Sequence, residues 1–229
     1  MGSSIAASPV QLSCKGILFD MDGILISSLG SVERSWTKWA NLRGVDPEYA
    51  IRIAHGCRSI ETVAKLRPDL DAQAENDLIE QMEMDDTDGV AALPGVIDLL
   101  SSLPSDRWTV VTSATDPLAR VRLRAGGIPV PERIITAESV AHGKPHPAPY
   151  LAGAALLGFA PSECLVFEDA ASGTKAGRAA GCTVIATTFS HSVEALSAAH
   201  YLIRDLTGVT AEVSSDGNAI ALTFTPLSL

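Results

Sequence analysis

Short apolar runs recur along the chain at intervals that suit alternating strands and helices. The stretches 16–20, 108–112, 133–136, 164–167, 183–187 and 201–203 are apolar and rich in β-branched residues, and turn-forming positions bound them. Such runs are expected of strands covered on both faces. Between them, 95–103, 117–125, 147–157 and 172–180 carry helical spacing. Strands joined by helices predict an α/β fold with a doubly wound, Rossmann-like parallel sheet.

The strand rhythm stops between residues 28 and 88. There Val32, Trp36, Trp39 and Ala40, then Ile60, Val63 and Ala64, then Leu78, Ile79 and Met82 fall at helical intervals. The reading is an inserted α-helical cap subdomain, 28–88, within a core made of 1–27 and 89–229. An insertion directly after the first strand sits over the carboxyl end of the sheet, where open α/β folds bind ligands. It can act as a lid, with 26–28 and 87–89 as its crossings. In the tail, 212–213 and 219–224 flank Ser215-Asp216-Gly217-Asn218 and predict a hairpin or edge addition.

Composition narrows the classes. A chain of 229 residues with 46% hydrophobic content can bury a core without covalent staples. Seventeen basic against 27 acidic residues give a net charge of −10, a field that repels nucleic acid and equally any anionic substrate. A phosphate site here therefore requires local positive charge or a bound cation. Cys14, Cys57, Cys164 and Cys182 form no Cys-x-x-Cys pair, so free thiols are expected rather than zinc or a disulfide framework. Residues 1–10 lack the pattern of a signal peptide, and no apolar run reaches membrane-spanning length. A cytoplasmic monomer with no membrane partner is the expectation.

Four segments carry candidate chemistry. Asp20 and Asp22 close the first apolar run, and Gly23 lets the chain turn. Paired carboxylates invite a cation or a shared catalytic role, although Asp and Gly also make ordinary turns. Thr112-Ser113-Ala114-Thr115 offers hydroxyls and amides suited to phosphate oxygens, or caps the next helix. Lys144 lies between Gly143 and Pro145-His146-Pro147, where a solvated surface lysine is the alternative. Glu168-Asp169 ends another apolar run before Ala170-Ala171-Ser172-Gly173; a helix cap would explain it equally.

In this order the four segments resemble the signature of the haloacid dehalogenase superfamily, over nearly the whole chain. The resemblance implies that Asp20 attacks phosphorus and becomes an aspartyl-phosphate, while Asp22 protonates the leaving alkoxide and then activates water. It also implies Mg²⁺ held by the Asp20 carboxylate, the Asp22 backbone carbonyl and Asp169, with Glu168 as a direct or water-mediated ligand. Lys144, Ser113 and the Ala114 amide would cradle the phosphoryl group, with Thr112 as the alternative anchor. Ile24 stands where threonine is common in the family.

Within the family, dehalogenases typically lack the second aspartate, so Asp22 favours phosphate chemistry. Mutases of the β-phosphoglucomutase group commonly carry a histidine where Val32 stands, which favours hydrolysis over phosphate shuttling. The stretch Ala54-His55-Gly56-Cys57-Arg58-Ser59, with Trp36 and 143–151, is similar to fungal glycerol-phosphate and 2-deoxyglucose-6-phosphate phosphatases. Sugar or polyol phosphates are therefore the expected substrates, with His55 and Arg58 touching leaving-group hydroxyls. An Arg58–Glu61 pair and a structural hydrogen bond of His55 are the competing roles; Trp36 and Trp39 are expected to pack. A mutase, or a silent binding protein of the same fold, is the competing function. The silent protein would be marked by loss of Asp20, Asp22, Lys144 or Asp169, all of which are present.

Overall fold

The computed structural model describes residues 8–54 and 57–228. In chain order its elements are β1 (Val10–Cys14), β2 (Gly16–Phe19), β3 (Ile26–Ser27), α1 (Leu29–Arg43), α2 (Pro47–Ala54), α3 (Ser59–Leu66), α4 (Ala72–Asp85), β4 (Ala91–Ala92) and α5 (Val96–Ser102). They continue with β5 (Trp108–Val110), α6 (Asp116–Ala125), α7 (Ala148–Leu157), β6 (Cys164–Glu168), α8 (Ala171–Ala179), β7 (Thr183–Thr187), β8 (Tyr201–Ile203), β9 (Thr210–Val213) and β10 (Ile220–Phe224).

The central sheet is parallel with strand order β5-β2-β6-β7-β8. Successive strand side chains point to opposite faces. Ile17, Phe19, Leu165, Phe167 and Ile185 accordingly join one apolar cluster, and Leu18, Val166 and Val184 join the other. With both faces covered, β2 and β6 are buried along their whole length. This is why they read as uninterrupted apolar runs rather than alternating ones.

The helices α1–α4 build a separate apolar cluster around Trp36, Trp39, Ala50, Val63 and Ile79. Trp36 and Trp39 meet edge to face at 5.5 Å, and Trp39 Nε1 donates to Glu75 Oε2 at 2.8 Å, so both rings pack the unit as expected. Gly44, in the left-handed region at φ 67°, ends α1 by donating to Ala40 O. Asp71 starts α4 by accepting from the amides of Gln73 and Ala74. The chain enters and leaves this unit side by side, because β3 and β4 pair antiparallel.

Two segments differ from the sequence reading. Residues 133–136 make only a single bridge, Val111 with Ile135, and the chain turns at Thr136 into a short 3-10 turn, Ala137–Ser139. The tail hairpin is present as β9 and β10, but it is one part of a three-stranded antiparallel sheet completed by β1. Among the described residues no helix is long and apolar enough to cross a membrane.

Candidate active site

The carboxyl ends of β5, β2 and β6 converge on one place. Asp20 follows β2, Thr112 lies just past β5, and Glu168 ends β6 with Asp169 next. Lys144 reaches this point from the loop before α7 and is 5% exposed. Its Nζ donates to Asp20 Oδ1 at 2.6 Å, to Glu168 Oε1 at 2.7 Å and to Val111 O at 3.0 Å. An ammonium has three donors, so all of them are satisfied. Burial works to lower its pKa, yet the carboxylates of Asp20 and Glu168 hold it above the ordinary lysine value.

Glu168 is fully buried and every acceptor site it has is engaged. Oε1 accepts from Lys144 and from Tyr150 OH at 2.8 Å, while Oε2 accepts from the amides of Asp169 and Ala170, both at 2.9 Å. It therefore fixes the lysine and the turn into α8. The approach is close: a Cβ on Gly173 would lie 1.6 Å from Glu168 Oε1. Burial first, and then the neighbouring Glu168 charge, push Asp20 up to about 7 against the opposing pull of Lys144. The same two causes push Asp169 well above the carboxylate range, opposed by a hydrogen bond from Ser190. Asp20, Glu168 and Asp169 bring one oxygen each within 4.8 Å of one another. Three buried carboxylates around one lysine leave surplus negative charge on an all-oxygen donor set, which suits a hard cation such as Mg²⁺.

Asp22 stands on a second network. Its Oδ1 accepts from Ser28 Oγ, and both oxygens lie 3.2 Å from Arg122 Nη1 of α6. Arg122 Nη2 in turn is 3.3 Å from Glu83 Oε2 of α4. Burial pushes the Glu83 carboxyl up to about 7, with Arg122 opposing. Asp22 is thus tied through one buried guanidinium to the helical unit.

These groups line a cavity of about 100 Å³ that also meets Val32, Trp36 and Ser113. A bound water needs about 10–15 Å³ of such space, so the cavity accommodates a small ligand. Thr112 and Ser113 both line it. The Thr112 hydroxyl and the Ala114 amide are bonded to each other at 3.1 Å, leaving Ser113 as the hydroxyl on this strand end that is not spent on the turn. Arg58 does not line the cavity. Its guanidinium donates to Val140 O at 2.8 Å and Ala141 O at 3.4 Å and lies 3.8 Å from Glu61 Oε1, so it joins the helical unit to a core loop. His55 lies outside the described residues. Four groups at the site went unassigned in the sequence: Arg122, Glu83, Tyr150 and Ser190. Only Ser190 had a usable signal, since it follows the carboxyl end of β7, the region where parallel sheets place ligands.

Strand order, buried lysine and clustered carboxylates define a hydrolase of the haloacid dehalogenase type, and residues 14–181 match the family model described as haloacid dehalogenase-like hydrolase. The chain belongs to that family. Among named relatives it is 41% identical over 214 residues to hexitol phosphatase A of Escherichia coli (strain K12), covering 91% of this chain and 99% of the relative. It is 37% identical over 199 residues to glycerol-1-phosphate phosphohydrolase 1 of Saccharomyces cerevisiae, covering 81% of this chain and 80% of the relative. A solved hydrolase from Pseudomonas syringae superposes with a TM-score of 0.75 at 24% identity, over 84% of this chain and 94% of that one, a likeness of fold.

Proposed function

We propose that this chain is a Mg²⁺-dependent phosphatase acting on small sugar or polyol phosphate monoesters, with Asp20 as nucleophile. The observation that carries the reading is the placement of Asp20 at the cavity floor. There Lys144 fixes one of its oxygens and Asp22 stands two residues away on a separate network. The names of the relatives, a hexitol phosphatase and a glycerol-1-phosphate phosphohydrolase, support the substrate class.

Residues Asp20 and Asp169, with the Asp22 backbone carbonyl, would hold the metal, and Glu168 stands behind them with its acceptor sites already occupied. When bound, the ion supplies positive charge against the phosphoryl oxygens and the clustered carboxylates. The Asp20 carboxylate attacks phosphorus, a new O–P bond forms, and the ester O–P bond breaks. Asp22 delivers its proton to the departing alkoxide, then takes one from the water that attacks the aspartyl-phosphate, so phosphate leaves and Asp20 is restored. Lys144 and Ser113 position the phosphoryl group throughout. Residues 28–88 act as a cap whose closure excludes water from the cavity. Val32 lines that cavity with an aliphatic side chain, which offers no proton relay and favours hydrolysis over transfer between positions of one sugar.

Asp20→Asn is expected to keep the fold and lose about 10³-fold or more in phosphate release across a panel of hexose, pentose and polyol phosphates with Mg²⁺. Near-normal turnover by that variant would exclude Asp20 as the nucleophile.

A further inference from the structure

The helices α1, α4 and α6 supply the cavity wall that would face the leaving group. Leu29, Val32, Trp36 and Leu118 make it largely apolar. Two charged side chains interrupt it, Glu83 at 3% and Arg122 at 4% exposure. A buried guanidinium is costly unless its donors are matched. Here Nη1 serves Asp22, but neither Nε nor Nη2 makes a hydrogen bond, although Nη2 lies near the Glu83 carboxylate. Unspent buried donors beside a carboxylate, on the wall of a cavity, are what a polar ligand would complete.

The charge balance selects the ligand. A lone arginine would suit a second anionic group, such as another phosphate or a carboxylate. Arg122 already faces two acidic side chains, Asp22 at 3.2 Å and Glu83 at 3.3 Å, so an anion placed here would meet oxygen acceptors beside the guanidinium. A hydroxyl both donates and accepts, which matches a guanidinium and a carboxylate side by side. We infer that Glu83 and Arg122 form the specificity-determining pair of this site, reading the hydroxyls of a neutral polyol or sugar leaving group and rejecting leaving groups that bear a second negative charge. The inference rests on the phosphatase reading and assigns to α4 and α6 the contacts that the sequence had suggested for His55 and Arg58.

The test compares kcat/KM for a six-carbon polyol monophosphate with that for phenyl phosphate, which has the ester but no hydroxyl. In Glu83→Gln the polyol ester is expected to lose at least about 10-fold more than phenyl phosphate, and phosphoglycolate, which carries a second anion, should gain relative to the polyol ester. Equal losses on both esters, or no loss on the polyol ester, would overturn the assignment. If Glu83→Gln lacks a cooperative unfolding transition, the same ratio is read on Arg122→Lys, which keeps the charge facing Asp22 but removes the fork of donors. A wild-type protein inert toward both esters refutes the phosphatase reading itself, and that outcome is seen before any substitution is made.

Discussion

At the scale of single residues, the site is organised by what is buried without full compensation. Glu83 is the clearest case outside the Asp20–Glu168–Asp169 carboxylate cluster. Burial lifts its carboxyl from 4.5 to about 7, so the folded chain holds a proton there at pH values where the unfolded chain has released it. The associated stability is fully present below about 4.5 and is lost as pH rises through about 7. In the presence of a chelator, the thermal midpoint of Glu83→Gln should therefore gain on that of the wild type as pH is raised across this window. A midpoint difference that stays constant with pH would refute the raised carboxyl. Asp20, Asp22 and Asp169 were legible from the sequence because each lies in a short motif at a strand end, where local order constrains position, and Lys144 because it stands in a short loop between Gly143 and two prolines just before α7. Arg122 and Glu83 were not legible. Their meeting depends on how α6 packs against α4, and neither helix carries a local sign of the other. The contacts of Arg58 were only half legible: its Glu61 partner follows from helical spacing, but its carbonyl partners lie 82 and 83 positions away.

At the scale of elements, the turn after β2 decides whether the two acidic motifs can coexist. Gly23 has φ 81°, and a Cβ there would lie 1.9 Å from Asp169 Oδ2. Both the left-handed backbone and the contact require glycine. Gly23→Ala is thus expected to displace Asp169 and to destabilise the fold by about 1–3 kcal/mol or more, measured by urea unfolding. It should also lose most Mg²⁺-dependent activity, whereas a variant with normal stability and activity would show that the turn tolerates a side chain. Element types were well legible where burial is two-sided, as in β2 and β6, because such strands announce themselves as continuous apolar runs. β1 was not, because its exposed and half-buried residues alternate and it forms only by pairing with β10 at the far end of the chain. The run 133–136 looked like a full strand, yet it contributes one bridge beside β5 before the chain turns away.

At the scale of the whole molecule, a net charge of −10 and a cluster of three carboxylates beside one lysine mean that the proposed cation would stabilise the fold as well as serve the chemistry. Mg²⁺ at 100 times its dissociation constant is expected to stabilise the fold by about 2.7 kcal/mol, read as a rise of several degrees in the thermal midpoint. The rise should vanish in Asp169→Asn. No shift at millimolar Mg²⁺ would argue against the carboxylate cluster as the metal site.

The proposed mechanism turns on a covalent phosphoryl group on Asp20. With p-nitrophenyl phosphate, whose leaving group is far less basic than an alkoxide, departure needs little help from an acid, while water attack on the intermediate still needs the base. Asp22→Asn should therefore accumulate the intermediate. Acid-quenched protein, digested and mapped by mass spectrometry, is predicted to carry one phosphoryl group on the peptide containing Asp20, and the wild type to chase it to free phosphate. Turnover with no phosphoryl on that peptide, or with the group on another residue, would exclude Asp20 as the nucleophile.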